Sequence, residues 1–299
     1  MSGANIKIDA SKAIIEEDWV NLKRCKHGLI LYNRNDYSVG RCMDLYGEWC
    51  EHEGQLLVSL LEPGDVVLDV GANIGTHTVP LAKAVEGSGG IVYAFEPQHL
   101  AFQFLCANLA LNRILNVLFS QQAVGEICCD IKVPVLPPWE TINFAGLKIE
   151  QDGTGEPVPQ KTIDSMALKR CDMIKVDVEG MESQVLKGAS NTIANHKPLL
   201  FVENNSEPGS RELLEILDNL GYTCMWHLEN YFNPDNFYQN SINVFQQHRP
   251  EVNMLCFHPD RPIPSSIQNQ LMPVNGLDDN FKTAIIRSGR FNFSPSRED

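Results

Sequence analysis

The stretch from Asp65 to Gly75, DVVLDVGANIG, predicts the fold of this chain. It contains a short apolar run, which is typical of a strand buried on both faces of a parallel sheet and consists of Val66, Val67, Leu68 and Val70. Gly71 and Gly75 then flank a tight turn, and the residues from Thr76 to Val85 predict a helix. A strand, a glycine turn and a helix form the first half of a βαβ unit, whose turn binds nucleotide-like ligands.

The glycine spacing of this turn distinguishes between ligands. A dinucleotide fingerprint is GxGxxG, in which the middle glycine lets the backbone approach a pyrophosphate. Here the spacing is GxxxG, and Asn73 takes the place of that glycine. Asn tolerates a left-handed backbone, so the turn still forms, but its side chain crowds a pyrophosphate. The methionine end of S-adenosylmethionine fits better, and a plain tight turn without a ligand is the alternative.

Composition restricts the partners. The chain has 299 residues, a formal net charge of −14 and no basic stripe, which opposes binding to nucleic acid. Nine cysteines without a CxxC pair are typical of reduced thiols. No apolar run approaches the roughly 20 residues that span a bilayer, and the N-terminus lacks a signal-peptide pattern. We therefore expect a cytoplasmic protein with no nucleic-acid and no membrane partner.

The order of predicted elements indicates an α/β protein. Strands alternate with helices, which implies right-handed crossovers and a mostly parallel sheet. The predicted strands are residues 66–70, 91–95, 117–119, 172–177, 198–203, 222–227 and 252–257. We expect a Rossmann-like, seven-stranded sheet with an N-terminal helix and hairpin extension.

We divide the chain into three parts. Residues 1–62 are predicted as a lid made of a helix (Ser11 to Cys25), a hairpin that begins at Leu29, and a helix (Glu48 to Leu61). Within it Tyr46, Glu48, Trp49 and Glu53 either cover the cofactor or are ordinary helix residues. Residues 63–260 are predicted as the core domain with a β-hairpin insertion near 126–160, and residues 261–299 as an irregular segment.

Polar side chains mark the carboxyl ends of the predicted strands, where ligands of such sheets bind. They are Asp69, Glu96, Asp177, Glu203 and His227. Glu96 lies 21 positions after Gly75, close to the ~20 expected of an acid that binds the ribose hydroxyls. The residues from Gln121 to Val124 are expected at the adenine edge. The residues predicted to bind the cofactor are Asp69, Gly71, Asn73, Gly75, Thr76, Glu96, Pro97, Gln122, Ala123 and Asp177.

With these residues in place, the chain resembles the FkbM-type family of S-adenosylmethionine-dependent methyltransferases over roughly residues 45–205. The matching segments are YGEW (46–49), GDVVLDVGANIGTHT (64–78), AFEP (94–97), NLALN (108–112), AVG (123–125), TIDS (162–165) and IKVDVEGME (174–182). The resemblance implies a class I methyltransferase fold and methyl transfer to a hydroxyl, with sugars and polyketides among the acceptors. It also implies that Asp69, Gly71 and Gly75 surround the methionyl end, that Glu96 binds the ribose, that Ala123 lies beside the adenine, and that Asp177 lies near the methyl group.

The predicted function is therefore O-methylation of a small-molecule or glycan acceptor with S-adenosylmethionine. The catalytic candidates are Asp177, Glu179, His227 and Glu203, with Glu179 and His227 as candidate bases. Asp177, Glu179 and Glu203 with Asn204 offer the oxygen ligands that Mg²⁺ prefers. We favour acids that orient a loop instead, so no metal is predicted.

Two other functions remain open at this point. A nicotinamide oxidoreductase is opposed by the missing middle glycine and by the absence of a Tyr-x-x-x-Lys pair. A non-catalytic relative that binds the cofactor or a partner keeps the same motifs. The acceptor and the oligomeric state, including a homo-oligomer, are not determined by the sequence.

Overall fold

The computed structural model describes residues 9–147, 153–205 and 207–291. In these residues the strands are β1 (Ile15–Glu17), β2 (Val20–Cys25), β3 (Gly28–Asn33), β4 (Val66–Val70), β5 (Ile91–Phe95), β6 (Val117–Ser120), β7 (Ala123–Val124), β8 (Cys129–Val133), β9 (Glu156–Lys161), β10 (Met173–Val176), β11 (Leu199–Glu203), β12 (Thr223–Glu229), β13 (Glu251–Phe257) and β14 (Met272–Pro273). The α-helices are α1 (Val39–Leu45), α2 (Glu51–Ser59), α3 (Thr78–Val85), α4 (His99–Leu111), α5 (Glu182–Lys187), α6 (Ser190–His196), α7 (Glu207–Asn219), α8 (Ser265–Gln268) and α9 (Phe281–Ser288).

The central sheet has the strand order β6-β5-β4-β10-β11-β13-β12-β14. The five strands from β6 to β11 are parallel, and β13 runs antiparallel between β11 and β12. This confirms the predicted Rossmann-like α/β sheet of seven mostly parallel strands. The two residues of β14 add an eighth strand at one edge.

Alternate residues of each central strand enter two different hydrophobic cores, because successive side chains point to opposite faces of a sheet. In β10, Ile174 packs on the side of α5 and α7, whereas Met173 packs on the side of α2 and α3. Lys175 shares the face of Met173. The order of the sheet reverses between β4 and its neighbours β5 and β10, which places a crevice at their carboxyl ends.

The prediction of a helix from Ser11 to Cys25 was wrong. This stretch forms β1 and β2, and β2 pairs with β3 around a two-residue turn at Lys26 and His27. The predicted hairpin from Leu29 was also wrong, since β3 pairs with the strand before it and α1 follows. Gly28, at φ +137°, closes the actual hairpin rather than ending a helix.

The segment after residue 260 is more regular than predicted. Met272 and Pro273 pair with β12, and α9 buries Phe281, Ala284 and Ile285 in the main core. These residues lie three and four positions apart, which places them on one face of a helix. The proposed domain boundaries stay a prediction, and residues 292–299 lie outside the described residues.

Between residues 126 and 160, β8 and β9 pair antiparallel, and β7 adds a parallel strand to β9. Residues 148–152 of this insertion lie outside the described residues. No described helix is long and apolar enough to cross a membrane.

Candidate active site

The glycine turn after β4 has the predicted backbone. Gly71, Asn73 and Gly75 have φ of +85°, +49° and +87°. A Cβ on Gly71 would lie 1.8 Å from the backbone oxygen of Asp177. This glycine therefore lets the ends of β4 and β10 approach each other, which brings the two halves of the crevice together.

Glu96 joins this turn to the end of β5. Its Oε2 accepts a hydrogen bond from the Asn73 amide at 2.8 Å, and its Oε1 accepts one from the Gln98 amide at 2.8 Å. Burial raises the pKa of Glu96 to about 7, against the lowering effect of these two bonds. Each carboxylate oxygen retains a lone pair for a ligand hydroxyl.

Most of the predicted cofactor residues line one cavity of about 1440 Å³ at the crevice. They are Gly71, Asn73, Thr76, Glu96, Pro97, Gln122, Ala123 and Asp177. Asp69 and Gly75 do not line this cavity. The Asp69 side chain is fully buried and accepts a hydrogen bond from the Thr78 hydroxyl at 2.6 Å.

Lys175 is a functional candidate that the sequence reasoning missed. Its Nζ lies 3.0 Å from Asp177 Oδ2 and 3.7 Å from Asp69 Oδ1, and it lines the cavity. Burial alone lowers the pKa of Lys175, but the carboxylates of Asp177, Asp69 and Glu53 outweigh it and raise the pKa. A charged residue inside the apolar strand sequence MIKV was the available signal.

Three carboxylates converge where β10 and β11 end. One oxygen each of Asp177, Glu179 and Glu203 lies within 4.8 Å of the others. Burial, and then the neighbouring carboxylates, raises the pKa of Glu179 to about 8 and raises that of Glu203. The same causes raise the pKa of Glu251, on the neighbouring β13, to about 7.

His227 lies apart from this group. It does not line the cavity, and its ring packs against Phe201 at 5.7 Å. Its Nε2 lies 3.9 Å from Glu229 Oε2, and burial lowers its pKa. The other three catalytic candidates, Asp177, Glu179 and Glu203, lie together, and His227 is not part of their cluster.

The opposite wall of the cavity consists of α2, the residues just before it, and the segment 230–250. Trp49 stacks on Tyr231 with ring centroids 5.0 Å apart. Glu48 fixes the segment because its carboxylate accepts hydrogen bonds from the Asn233 side chain and the Phe237 amide. Trp49 and Glu53 line the cavity, whereas Tyr46 and Glu48 support the wall from behind.

Two further buried groups belong to this wall: Glu53, which the sequence already named as a possible cover for the cofactor, and His77, which the sequence reasoning missed. Glu53 accepts a hydrogen bond from the Asn253 side chain at 2.9 Å, and His77 Nδ1 lies 3.6 Å from Glu53 Oε1. Burial lowers the pKa of His77 to about 3 and raises that of Glu53 well above its usual value. Their meeting depends on how α2, α3 and β13 pack, for which the sequence holds no local signal.

The sheet order and the crevice define a class I methyltransferase-like α/β protein. A family model, the methyltransferase FkbM domain, matches residues 69–224, and the chain belongs to this family. The predicted resemblance is thereby confirmed, and the protein is a methyltransferase of FkbM type.

Two sequence relatives are also methyltransferases by name. The chain is 30% identical over 191 residues to a hexuronic acid methyltransferase, AglP, of Haloferax volcanii, covering 60% of this chain and 72% of AglP. It is 48% identical over 54 residues to the 31-O-demethyl-FK506 methyltransferase FkbM of Streptomyces tacrolimicus, covering 18% of this chain and 20% of that protein. A crystal structure of a methyltransferase FkbM from Methylobacillus flagellatus KT superposes with a TM-score of 0.45 at 19% identity, covering 66% of this chain and 44% of the other.

Proposed function

We propose that this protein transfers the methyl group of S-adenosylmethionine to an oxygen of a carbohydrate acceptor. The observation that carries the proposal is that Glu96, on the cofactor side, lines the same cavity as the carboxylates of Asp177 and Glu179. The cofactor residues and the catalytic candidates therefore share one cavity. The name of the AglP relative, a hexuronic acid methyltransferase, supports a uronic acid as the class of acceptor.

The residues of the crevice fit the proposed cofactor. Glu96 presents a buried carboxylate to two ribose hydroxyls, and the turn at Asn73 leaves space for an amino-acid end rather than a pyrophosphate. Gln122 and Ala123 border the cavity at the end expected for the adenine. When bound, S-adenosylmethionine supplies an electrophilic methyl group on its sulfonium.

The wall made by segment 230–250 suits a sugar. It presents amide side chains and aromatic rings, which are Asn230, Asn243, Gln246, Gln247, Tyr231 and Phe245, and Trp49 adds a ring from the residues before α2. Amides donate and accept hydrogen bonds, as hydroxyl groups require, and aromatic faces pack against the C–H faces of a sugar ring. Arg249 also borders this wall, where a guanidinium suits a carboxylate of the acceptor.

The reaction needs alignment and, for a hydroxyl acceptor, a base. The acceptor oxygen takes the methyl group, its proton leaves, and S-adenosylhomocysteine is the second product. Holding the reactants in line contributes about 7–11 kcal/mol to lowering the barrier. Glu179, with a pKa of about 8, is matched to accept the proton near neutral pH. His227 has no part in this proposal.

Calorimetric titration with S-adenosylhomocysteine tests the cofactor, and we expect one saturable site and none for NADH. Transfer of a labelled methyl group to uronic-acid oligosaccharides, compared with neutral ones, tests the acceptor. Asp177→Ala and Glu179→Ala are expected to abolish transfer while the fold is retained. No heat with S-adenosylhomocysteine would refute the proposal, and binding without transfer to any saccharide would favour a non-catalytic relative.

A further inference from the structure

We propose that the carboxylates at the adjoining ends of β10 and β11 form a binding site for a hard divalent cation of the Mg²⁺ class. Asp177, Glu179 and Glu203 each offer one oxygen, and these oxygens lie within 4.8 Å of one another. Two oxygens that share one cation are separated by at most twice the metal–oxygen distance, which gives about 4.6–5.2 Å for Ca²⁺ and about 4.0–4.2 Å for Mg²⁺, so Mg²⁺ requires the oxygens to close by a few tenths of an ångström. The spacing therefore permits all three to bind the same ion.

The sheet itself fixes two of the three ligands. Val176 and Val202 are register partners in the parallel pair of β10 and β11. Asp177 and Glu203 are the residues that follow them, so these two carboxylates are neighbours by strand pairing. Glu179 follows on a left-handed backbone, φ +55°, and returns its side chain to the same place.

Glu203 provides a second observation that points to a ligand. Its side chain is 2% exposed, it lines the cavity, and its Oε2 has no hydrogen-bond partner. A buried carboxylate oxygen without a donor is unfavourable unless a cation or a donor reaches it. Within the described parts of the chain, no basic side chain lies within 4 Å of a Glu179 or Glu203 oxygen: Lys175 pairs with Asp69 and Asp177, and Arg249 acts on Glu179 only from a longer distance.

The ligand chemistry selects the kind of ion. Three carboxylates without histidine or cysteine suit Mg²⁺, Mn²⁺ or Ca²⁺ and not Zn²⁺. The three carboxylates line the cavity, so the other coordination positions of a bound ion would be open to water or to two oxygens of an acceptor. This last step rests on the proposed function. A hydroxyl of the acceptor held by such a cation would release its proton to water more readily, and Glu179 would then serve as a ligand in place of the base role proposed above.

The test uses the full chain, treated with EDTA, desalted and saturated with S-adenosylhomocysteine. Mn²⁺ is titrated while the electron paramagnetic resonance signal of the free ion is followed, and Mg²⁺ is added as a competitor. We expect one Mn²⁺ per chain, displaced by Mg²⁺. The absence of a site at about 1 mM Mn²⁺, the weak end of protein sites for such ions, overturns the proposal.

Matched variants assign the site to these residues. Glu203→Gln and Glu179→Gln are each expected to weaken Mn²⁺ binding about tenfold or more, because the number of charged ligands sets the affinity. Glu212→Gln, an exposed glutamate on α7 paired with Lys187, is expected to leave it unchanged. If Mn²⁺ binding is unaltered in both Glu203→Gln and Glu179→Gln, the proposal is overturned. If Glu203→Gln does not fold, unaltered binding in Glu179→Gln alone overturns it. Calorimetry with S-adenosylhomocysteine on the metal-free sample tests the proposed function separately.

Discussion

At the scale of single residues, Glu96 does two tasks with one carboxylate, because it holds the glycine turn and faces the cavity. Glu96→Gln keeps the size but replaces one acceptor oxygen by a donor. We expect it to weaken S-adenosylhomocysteine binding by about 1.5–3 kcal/mol, the range for hydrogen bonds to charged groups. Calorimetry measures the change, and Glu86→Gln, an exposed glutamate after α3, serves as the control. Equal affinities of Glu96→Gln and wild type contradict a ligand role.

The same carboxylate predicts a pH dependence. Its pKa is raised to about 7, so Glu96 is ionised above that pH and protonated below it. An ionised carboxylate is the better acceptor for ribose hydroxyls. We therefore expect the affinity for S-adenosylhomocysteine to fall as the pH drops through 7, when it is measured by calorimetry in several buffers. Glu96→Gln should remove this step, and an equal step in that variant would assign it to another group.

Lys175 is expected to stabilise the fold, because it is the buried cation that pairs with Asp69 and Asp177. Lys175→Met keeps the bulk of the side chain but leaves Asp69, fully buried, and Asp177 without their cation. Breaking a buried pair in this way costs about 3–5 kcal/mol of unfolding free energy. Urea denaturation measures the loss. Adding Asp69→Asn to the variant should recover part of it, and full additivity of the two changes contradicts direct coupling.

At the scale of elements, local patterns predicted the central strands and failed for β1 to β3. The run at Val66–Val70 is apolar except for Asp69, so it indicates a buried strand without knowledge of its partners. The residues from Ser11 to Cys25 mix apolar and charged side chains at spacings that fit either a helix or a strand. Their conformation is decided by pairing with β3, which in turn packs on α4.

The contact between α4 and β3 includes Asn108, whose side chain forms hydrogen bonds with the backbone of β3, as a paired strand does. Its amide accepts from Leu31 N at 2.7 Å and donates to Leu31 O at 3.0 Å and Ile74 O at 2.8 Å. Asn108→Ala leaves these backbone groups unpaired, and we expect a loss of about 2–4 kcal/mol in urea denaturation. Gln103→Ala, on the exposed face of α4, is the control. A loss no larger than that of the control contradicts this role.

At the scale of the whole molecule, the site depends on register that no single stretch of sequence contains. The sequence indicated that Asp177, Glu203 and His227 end strands at one edge. It did not indicate which of these side chains would reach the cavity, because that depends on side-chain direction and on the wall built by segment 230–250. Lys175, His77 and Asn253 were missed for the same reason.

The segment after residue 260 is part of the main core, and its contribution to the whole fold is testable. Ile285 and Ile286 are adjacent in α9, yet Ile285 is fully buried and Ile286 is 60% exposed. Ile285→Ala should lower the free energy of unfolding by about 2–5 kcal/mol, as for other buried large-to-small changes, and Ile286→Ala by less than about 0.5 kcal/mol. Urea denaturation compares the two. If both variants unfold like wild type, α9 does not contribute to the core. A single transition for Ile285→Ala, shifted to lower urea, shows that this segment unfolds together with the sheet that carries the site.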